Sequence, residues 1–124
     1  MASAVVTPEL ALRRLSELSS EIRAAVLVAP DGSLAATHPD DPEMGETLTG
    51  QAAALLDAAD RAAAGGRGTP ERLGEVEVTT AGGAVFAVRR GGWVLAAVTG
   101  RYPLSSLMRY DLRRALVDLG EERA

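Results

Sequence analysis

The sequence contains no cysteine and no lysine. The first absence removes disulfides, thiolate nucleophiles and cysteine-ligated metals together. The second removes the lysine that reaches the phosphates of a P-loop ligand and the amine that forms a Schiff base. All 13 basic residues are therefore arginine, a coding bias expected of a GC-rich bacterial genome. Aromatics make up 3% of the chain, and Phe86 and Trp93 are expected to anchor a core rather than to stack on bases. His38, the single histidine, stands beside Pro39 in a polar turn and reads as a solvated loop residue rather than a general base. No apolar run approaches the roughly 20 residues that span a bilayer. The opening "MASAVVTPEL" has no basic region followed by a long apolar stretch, so no signal peptide is expected. Acidic residues outnumber basic ones by 17 to 13, a net charge of −4, which disfavours nucleic acid and anionic membrane as partners. A cytoplasmic location is the expectation.

Other signals of chemistry are equally thin. No serine sits in a Gly-x-Ser-x-Gly elbow. Asp40, Asp41, Glu43 and Glu46 lack the spacing of a calcium loop and read as helix-cap and dipole residues. Gly65-Gly66-Arg67-Gly68 follows a helix rather than a strand, the wrong polarity for cradling phosphate. No catalytic residue, metal ligand or cofactor is assigned, and the chain is not expected to be an enzyme.

What the sequence does contain is a regular alternation of elements. Thr7-Pro8-Glu9 opens a helix, with Thr7 as cap, proline where its missing N–H is harmless and glutamate at the positive end of the dipole. Ala11, Leu12, Leu15, Leu18 and Ile22 share one stripe of that helix, which should end near Arg23. A strand over 24–29 and a second over 33–37 flank a Pro30-Asp31-Gly32 corner. A second helix should run from Pro42, capped by Asp41, to a stop at Gly65-Gly66. Strands over 73–80, 84–90 and 93–99 are separated by short glycine turns. A last helix over 105–119 should stop at Gly120. Its core stripe is Leu104, Leu107, Met108, Leu112, Ala115, Leu116 and Leu119, with Arg109, Arg113, Arg114 and Asp118 facing solvent. The domain reading is an arm over 1–7, one domain over 8–120 and a tail over 121–124.

Strand composition orders the sheet. A strand covered on both faces reads as a continuous apolar run, and a strand with one bare face alternates. "AAVLVA", "AVFAV" and "WVLAAV" are continuous; "SLAAT" and "EVEVTT" are not. Placing the continuous three inside, and keeping hairpin partners adjacent, leaves the order 2-1-5-4-3. The fold class is α/β (α+β): a three-layer α/β/α sandwich with a five-stranded, mostly antiparallel sheet and topology α-β-β-α-β-β-β-α. The first and third helices should share one face and the second should cover the other.

The third strand is then a long edge with no proline in its middle, a template for pairing. The second helix carries Leu48, Ala52, Leu55, Ala59 and Ala62 on one stripe and Ala53, Leu56 and Ala63 on another, more small apolar surface than one sheet face needs. A twofold homodimer satisfies both features. Its expected interface is Leu48, Ala52, Leu55, Leu56, Ala59 and Ala62 on the helix with Glu75, Val76, Glu77, Val78 and Thr79 on the strand.

With this topology, "AVLVAPDGSLAAT", "QAAALLDAAD" and "GEVEVTT…AVFAVRRGGWVLAAVT…PLSSLMRYDLRRAL" together resemble the Roadblock/LC7 family, over about residues 8 to 119. The resemblance implies a homodimer with one continuous sheet, acting as a regulator or scaffold of a small Ras-like GTPase without binding nucleotide itself. Glu46, Gln51, Asp57, Asp60 and Arg61, on the polar side of the second helix, are the expected GTPase contacts. The sequence ends four residues after Gly120, so docking is expected ahead of direct stimulation of hydrolysis. Two other readings are a purely structural dimer within a larger assembly and a small-ligand sensor; the latter needs a polar cavity that the apolar core positions do not offer.

Overall fold

A computed structural model describes residues 6–68, 74–100 and 105–121. The element order is α1 (Pro8–Leu18), β1 (Ile22–Val28), β2 (Leu34–His38), α2 (Pro42–Arg67), β3 (Glu75–Thr80), β4 (Gly83–Arg90), β5 (Trp93–Thr99) and α3 (Ser105–Glu121). The five strands form one sheet in the order β2-β1-β5-β4-β3, and all four pairings are antiparallel. The order inferred from apolar patterning is the one observed. Leu73 and Leu104, expected to start a strand and to enter the core, lie outside the described residues, as does most of the "RGTPER" loop.

The helices divide between the two faces of the sheet as expected. Leu12 and Leu15 of α1 and Met108, Leu112, Leu116 and Leu119 of α3 close over Leu27, Phe86, Val88 and Leu95. Leu48, Ala52 and Leu56 of α2 close over Val26, Val28, Ala87 and Ala96 on the opposite face. Strands β1, β4 and β5 thus bury side chains on both sides, which is why their sequences read as continuous apolar runs. Phe86 is fully buried, and Trp93 packs half-buried at the margin of the α1–α3 layer.

Several boundaries differ from expectation, each for a local reason. Helix α1 ends at Leu18, not near Arg23, because Ser19 turns extended (φ −131°) with its N–H bonded to the Leu15 carbonyl. Ile22, β-branched and suited to a pleated surface, is the first residue of β1 instead of the last of the helical stripe. Helix α2 continues through Gly65-Gly66 and stops at Gly68, whose left-handed backbone (φ 76°) returns its N–H to the Ala64 carbonyl. Glycine inside a helix costs only about 1 kcal/mol; it is the left-handed residue that ends it. Helix α3 likewise runs past Gly120 to Glu121. Leu107, assigned to the core stripe of α3, is 52% exposed. His38 is the last residue of β2 and half-buried, not a loop residue.

Two side-chain features pin the hairpins. The Asp31 carboxylate accepts from both the hydroxyl (2.6 Å) and the amide (2.9 Å) of Ser33, fixing the corner between β1 and β2. Thr99, the one buried polar residue among those described, accepts from the Ala84 N–H at 3.2 Å and lies within hydrogen-bonding distance of the Gly100 carbonyl at 3.1 Å. Beside it, Gly83 has φ +152°, and a Cβ there would stand 2.1 Å from the Thr99 carbonyl oxygen.

Gly83→Ala is therefore expected to destabilise the fold by more than about 2 kcal/mol, measured by urea unfolding; a loss under half that would show that β5 can yield. The Ser33 hydroxyl, and next its amide, hold the Asp31 carboxyl below the ordinary carboxylate range. Because the folded value is the lowered one, the stabilisation is present above the unfolded value and is lost as pH falls through the folded one. Ser33→Ala should raise the Asp31 titration toward normal in a carboxyl NMR experiment, and an unmoved titration would rule out the hydroxyl as its cause.

Candidate protein-docking surface

The outer side of β3 is built by the hairpin that ends at Gly83. The Arg89 N–H donates to the Gly74 carbonyl at 2.7 Å, and β3 and β4 then stay in register from Glu75–Val88 to Thr80–Gly83. Hydrogen-bonded pairs alternate along an antiparallel ladder. Val76, Val78 and Thr80 thus direct their backbone groups to β4, while Glu75, Glu77 and Thr79 direct theirs to the outer side. No strand pairs with that side among the described residues.

Side chains on β3 split between the two helical layers. Glu75 and Glu77 point toward α3, where Arg113 Nη1 meets Glu75 Oε2 at 2.9 Å and Arg109 Nη1 meets Glu77 Oε1 at 3.4 Å. Arg109 Nε also lies 3.6 Å from Glu75. Arg109 and Arg113, expected to face solvent, instead lean over the sheet edge and neutralise its carboxylates. Val76 and Val78 point toward the α2 layer. Val76 is half-buried there, and Val78 is 39% exposed.

Helix α2 packs over β2, β1 and β5, and the placement of its residues corrects the two-stripe reading. Leu48, Ala52 and Leu56 form the inward stripe at i, i+4 and i+8 and are buried against their own sheet. Leu55 and Ala59 are half-buried beside that stripe, Ala62 is exposed, Ala63 is half-buried and Ala53 is exposed. Leu48, Ala52 and Leu56 are therefore spent within the chain. Of the helical residues expected at a dimer interface, Leu55, Ala59 and Ala62 remain accessible in part.

Glu46, Gln51, Asp57 and Arg61 are exposed, and Asp57 and Arg61 pair one turn apart along the helix surface. Asp60 differs. Its carboxylate accepts from Arg89 of β4 at 2.6 Å with both side chains mostly shielded, so it ties α2 to the sheet. Nothing local in the sequence signals this pair, since the two residues are 29 apart and Arg89 directly follows a run expected to be apolar on both faces.

The candidates for chemistry do not converge. Asp41 caps α2, accepting from the Met44 N–H at 3.2 Å. Among the described residues no group of three or more potential ligands is arranged to hold a metal ion. A groove of about 490 Å³ between α1 and β2 includes His38, Glu9, Arg13 and Asp40 in its lining but is open to solvent. No described helix is long and apolar enough to cross a membrane.

Neither a protein-family model nor a curated protein matches the chain by sequence. Solved structures match it by shape. A Roadblock/LC7 domain from Streptomyces avermitilis superposes with a TM-score of 0.75 at 22% identity, covering 88% of this chain and 91% of that one. The gliding protein MglB from Thermus thermophilus gives 0.68 at 22% identity, covering 90% of this chain and 87% of that one. Myxococcus xanthus MglB gives 0.63 at 18% identity, with 87% of each chain covered. At these identities the likeness is one of fold.

Asp60→Ala removes a shielded charge-assisted partner from Arg89 and should cost about 1–3 kcal/mol in chemical unfolding. Asp57→Ala, which breaks only a solvated pair on one helix, should cost under about 0.5 kcal/mol. Equal effects would contradict the distinct roles assigned to the two carboxylates.

Proposed function

We propose that this chain, which has the Roadblock/LC7 fold, works as half of a homodimer that docks a small Ras-like GTPase and catalyses no reaction itself. The observation that carries the dimer is the outer side of β3, a regular edge whose carboxylates are already balanced by arginines from α3. Charged side chains on an edge strand ordinarily oppose pairing with a second edge, and like charges set across a ladder are destabilising. Here Arg109 and Arg113 remove most of that opposition. An antiparallel copy of β3 would extend the sheet to ten strands, and Val76 and Val78 would be covered from the α2 side. Leu55, Ala59 and Ala62 supply the helical part of the contact.

The GTPase assignment rests on the resemblance to the Roadblock/LC7 family and on that family's fold. Glu46, Gln51, Asp57 and Arg61 form the polar outer side of α2 and are the docking residues in this reading. Asp60 leaves the set, because its carboxylate is held by Arg89.

Sedimentation of the wild type should give twice the chain mass. Proline has no N–H to donate, so its two possible sites on β3 have different consequences. Thr79→Pro removes an outward donor and should yield folded monomers; Val78→Pro breaks the β3–β4 ladder and should lower the melting temperature. A wild type that sediments as a monomer, or a Thr79→Pro chain that stays dimeric, would sink the strand-paired dimer. Immobilised wild type should retain a Ras-like GTPase loaded with one nucleotide state over the other. Capture of partners with no nucleotide dependence would point to a scaffold.

A further inference from the structure

One row of side chains on the α2 side of the sheet is only half-covered. Ala24 of β1 stands opposite Val98 of β5, Val98 opposite Val85 of β4, and Val85 opposite Val78 of β3. Residues directly opposite on neighbouring strands share a face, so these side chains form one file that crosses the sheet and ends at the open edge. The next row, Val26, Ala96, Ala87 and Val76, lies under Leu48, Ala52 and Leu56 of α2 and is buried except at Val76. In the first row Ala24, Val98 and Val85 are half-buried and Val78 is 39% exposed. Exposure along β3 changes at the same residue: Glu75, Val76 and Glu77 are half-buried, and Val78, Thr79 and Thr80 are exposed.

Charge along β3 is one-sided in the same way. Glu75 and Glu77 lie on the α3 side, and Thr79, next on that side, is neutral. Arg109 and Arg113 pair with both carboxylates, but the pairs stay partly solvated, and glutamates set directly across a ladder still repel. A twofold antiparallel ladder sets one residue of β3 opposite its own copy, and that residue decides every other pair. Centred on Val76, the ladder sets Glu75 against Glu77 on both sides of the axis. Centred on Glu77, it sets glutamate against glutamate on the axis itself. Centred on Val78, it sets Glu77 against Thr79 and no carboxylate against another. Centring on Thr79 also separates the carboxylates, but Val78 then meets Thr80, and only 78–80 stay paired within the strand, against 76–80 when Val78 is central.

We propose that β3 pairs with β3 of a second copy with Val78 on the twofold axis. The inference rests on the strand-paired dimer and fixes the register of that dimer. Val78 directs its backbone groups to Val85 on β4, so Val78 and Val78 of the second copy form a non-hydrogen-bonded pair. Pairs of this kind bring their Cα atoms to about 4.5 Å, with the side chains close together. Glu77 and Thr79, whose backbone groups point outward, exchange the main-chain hydrogen bonds across the seam. The valine row then continues through the axis into the same row of the second copy, and the exposed apolar side chain of β3 is covered by its own copy. A lone valine on a surface is ordinary. A valine that ends a half-covered row, with threonines and not glutamates as its outer neighbours, makes the edge self-complementary at that residue and at no other.

The chain has no cysteine, so introduced thiols read out the register without background. The Cα separation of a non-hydrogen-bonded pair falls within the range that a disulfide spans. Under mild oxidation Val78→Cys should form a covalent dimer about tenfold faster than Val76→Cys or Thr80→Cys alone, because only the first holds its thiols face to face. An equimolar, exchanged mixture of Val76→Cys and Thr80→Cys chains should link one variant to the other. The three positions are half-buried or exposed, so each variant should keep the melting temperature of wild type. Sedimentation of the unmodified chain separates the two ways of failing. If wild type is dimeric but Val76→Cys or Thr80→Cys links to itself, or Val78→Cys links to either of them in preference to itself, the register is wrong while the dimer stands. If wild type is dimeric and none of the three positions links, the copies do not meet along β3. A monomeric wild type removes the pair altogether, and in either of these last cases the register falls with the strand-paired dimer.

Discussion

A strand buried on both faces has no water to satisfy its backbone, so it must have a hydrogen-bonding neighbour on each side. This constraint organises the molecule. β1, β4 and β5 are covered above and below by helices, and each is flanked by two strands. The sheet ends only where a strand tolerates a bare side. β2 ends it with five residues, closed by the His38-Pro39 junction and packed by both α1 and α2. β3 ends it with six residues in regular register and less helical cover. The two edges are thus unlike in kind, and the proposed dimer follows from that difference.

Electrostatics sharpen the difference. A glutamate-bearing edge strand would be a self-avoiding edge if its carboxylates stood alone. They do not: α3 reaches across with Arg109 and Arg113. These pairs are partly solvated and individually worth at most about 1 kcal/mol of stability, so their weight in folding is small. In the proposed dimer their weight would be larger, since they set the sign of the potential that an approaching edge meets. Asp60 and Arg89 play the opposite part, shielded and committed to holding α2 on β4.

Strand order was legible in the sequence because burial on two faces leaves a compositional mark that burial on one face does not. "AVFAV" and "EVEVTT" differ for that reason. The inward face of α2 was not legible, because alanine and leucine occur at nearly every angle around it. Which of them meet the sheet is settled by packing: Leu48, Ala52 and Leu56 reach it, and Leu55 does not reach it fully. Leu107 misled for a related reason, since its spacing suits the core stripe while its place at the start of α3 puts it at the rim. The glycine pair at 65–66 resembled a stop, yet a stop requires the left-handed conformation that Gly68 adopts. The arginine contacts of β3 were hidden because residues 32 and 38 positions apart carry no local signal of each other.

A five-stranded sheet sandwiched between helical layers separates its surfaces geometrically. The β3 edge lies in the plane of the sheet, α2 lies on one side and the α1–α3 groove on the other. Occupation of one surface need not obstruct the others, and two copies joined along β3 would carry every off-edge surface twice. The composition of the surfaces differs to match: backbone groups, valine and arginine-paired glutamate at the edge, mixed charge on α2, exposed leucine and tyrosine beside mixed charge on the α1–α3 side. Backbone pairing selects for an extended partner, and a polar helix for a complementary pattern of charges. In the proposed function, specificity comes from keeping backbone pairing and charge recognition on separate faces.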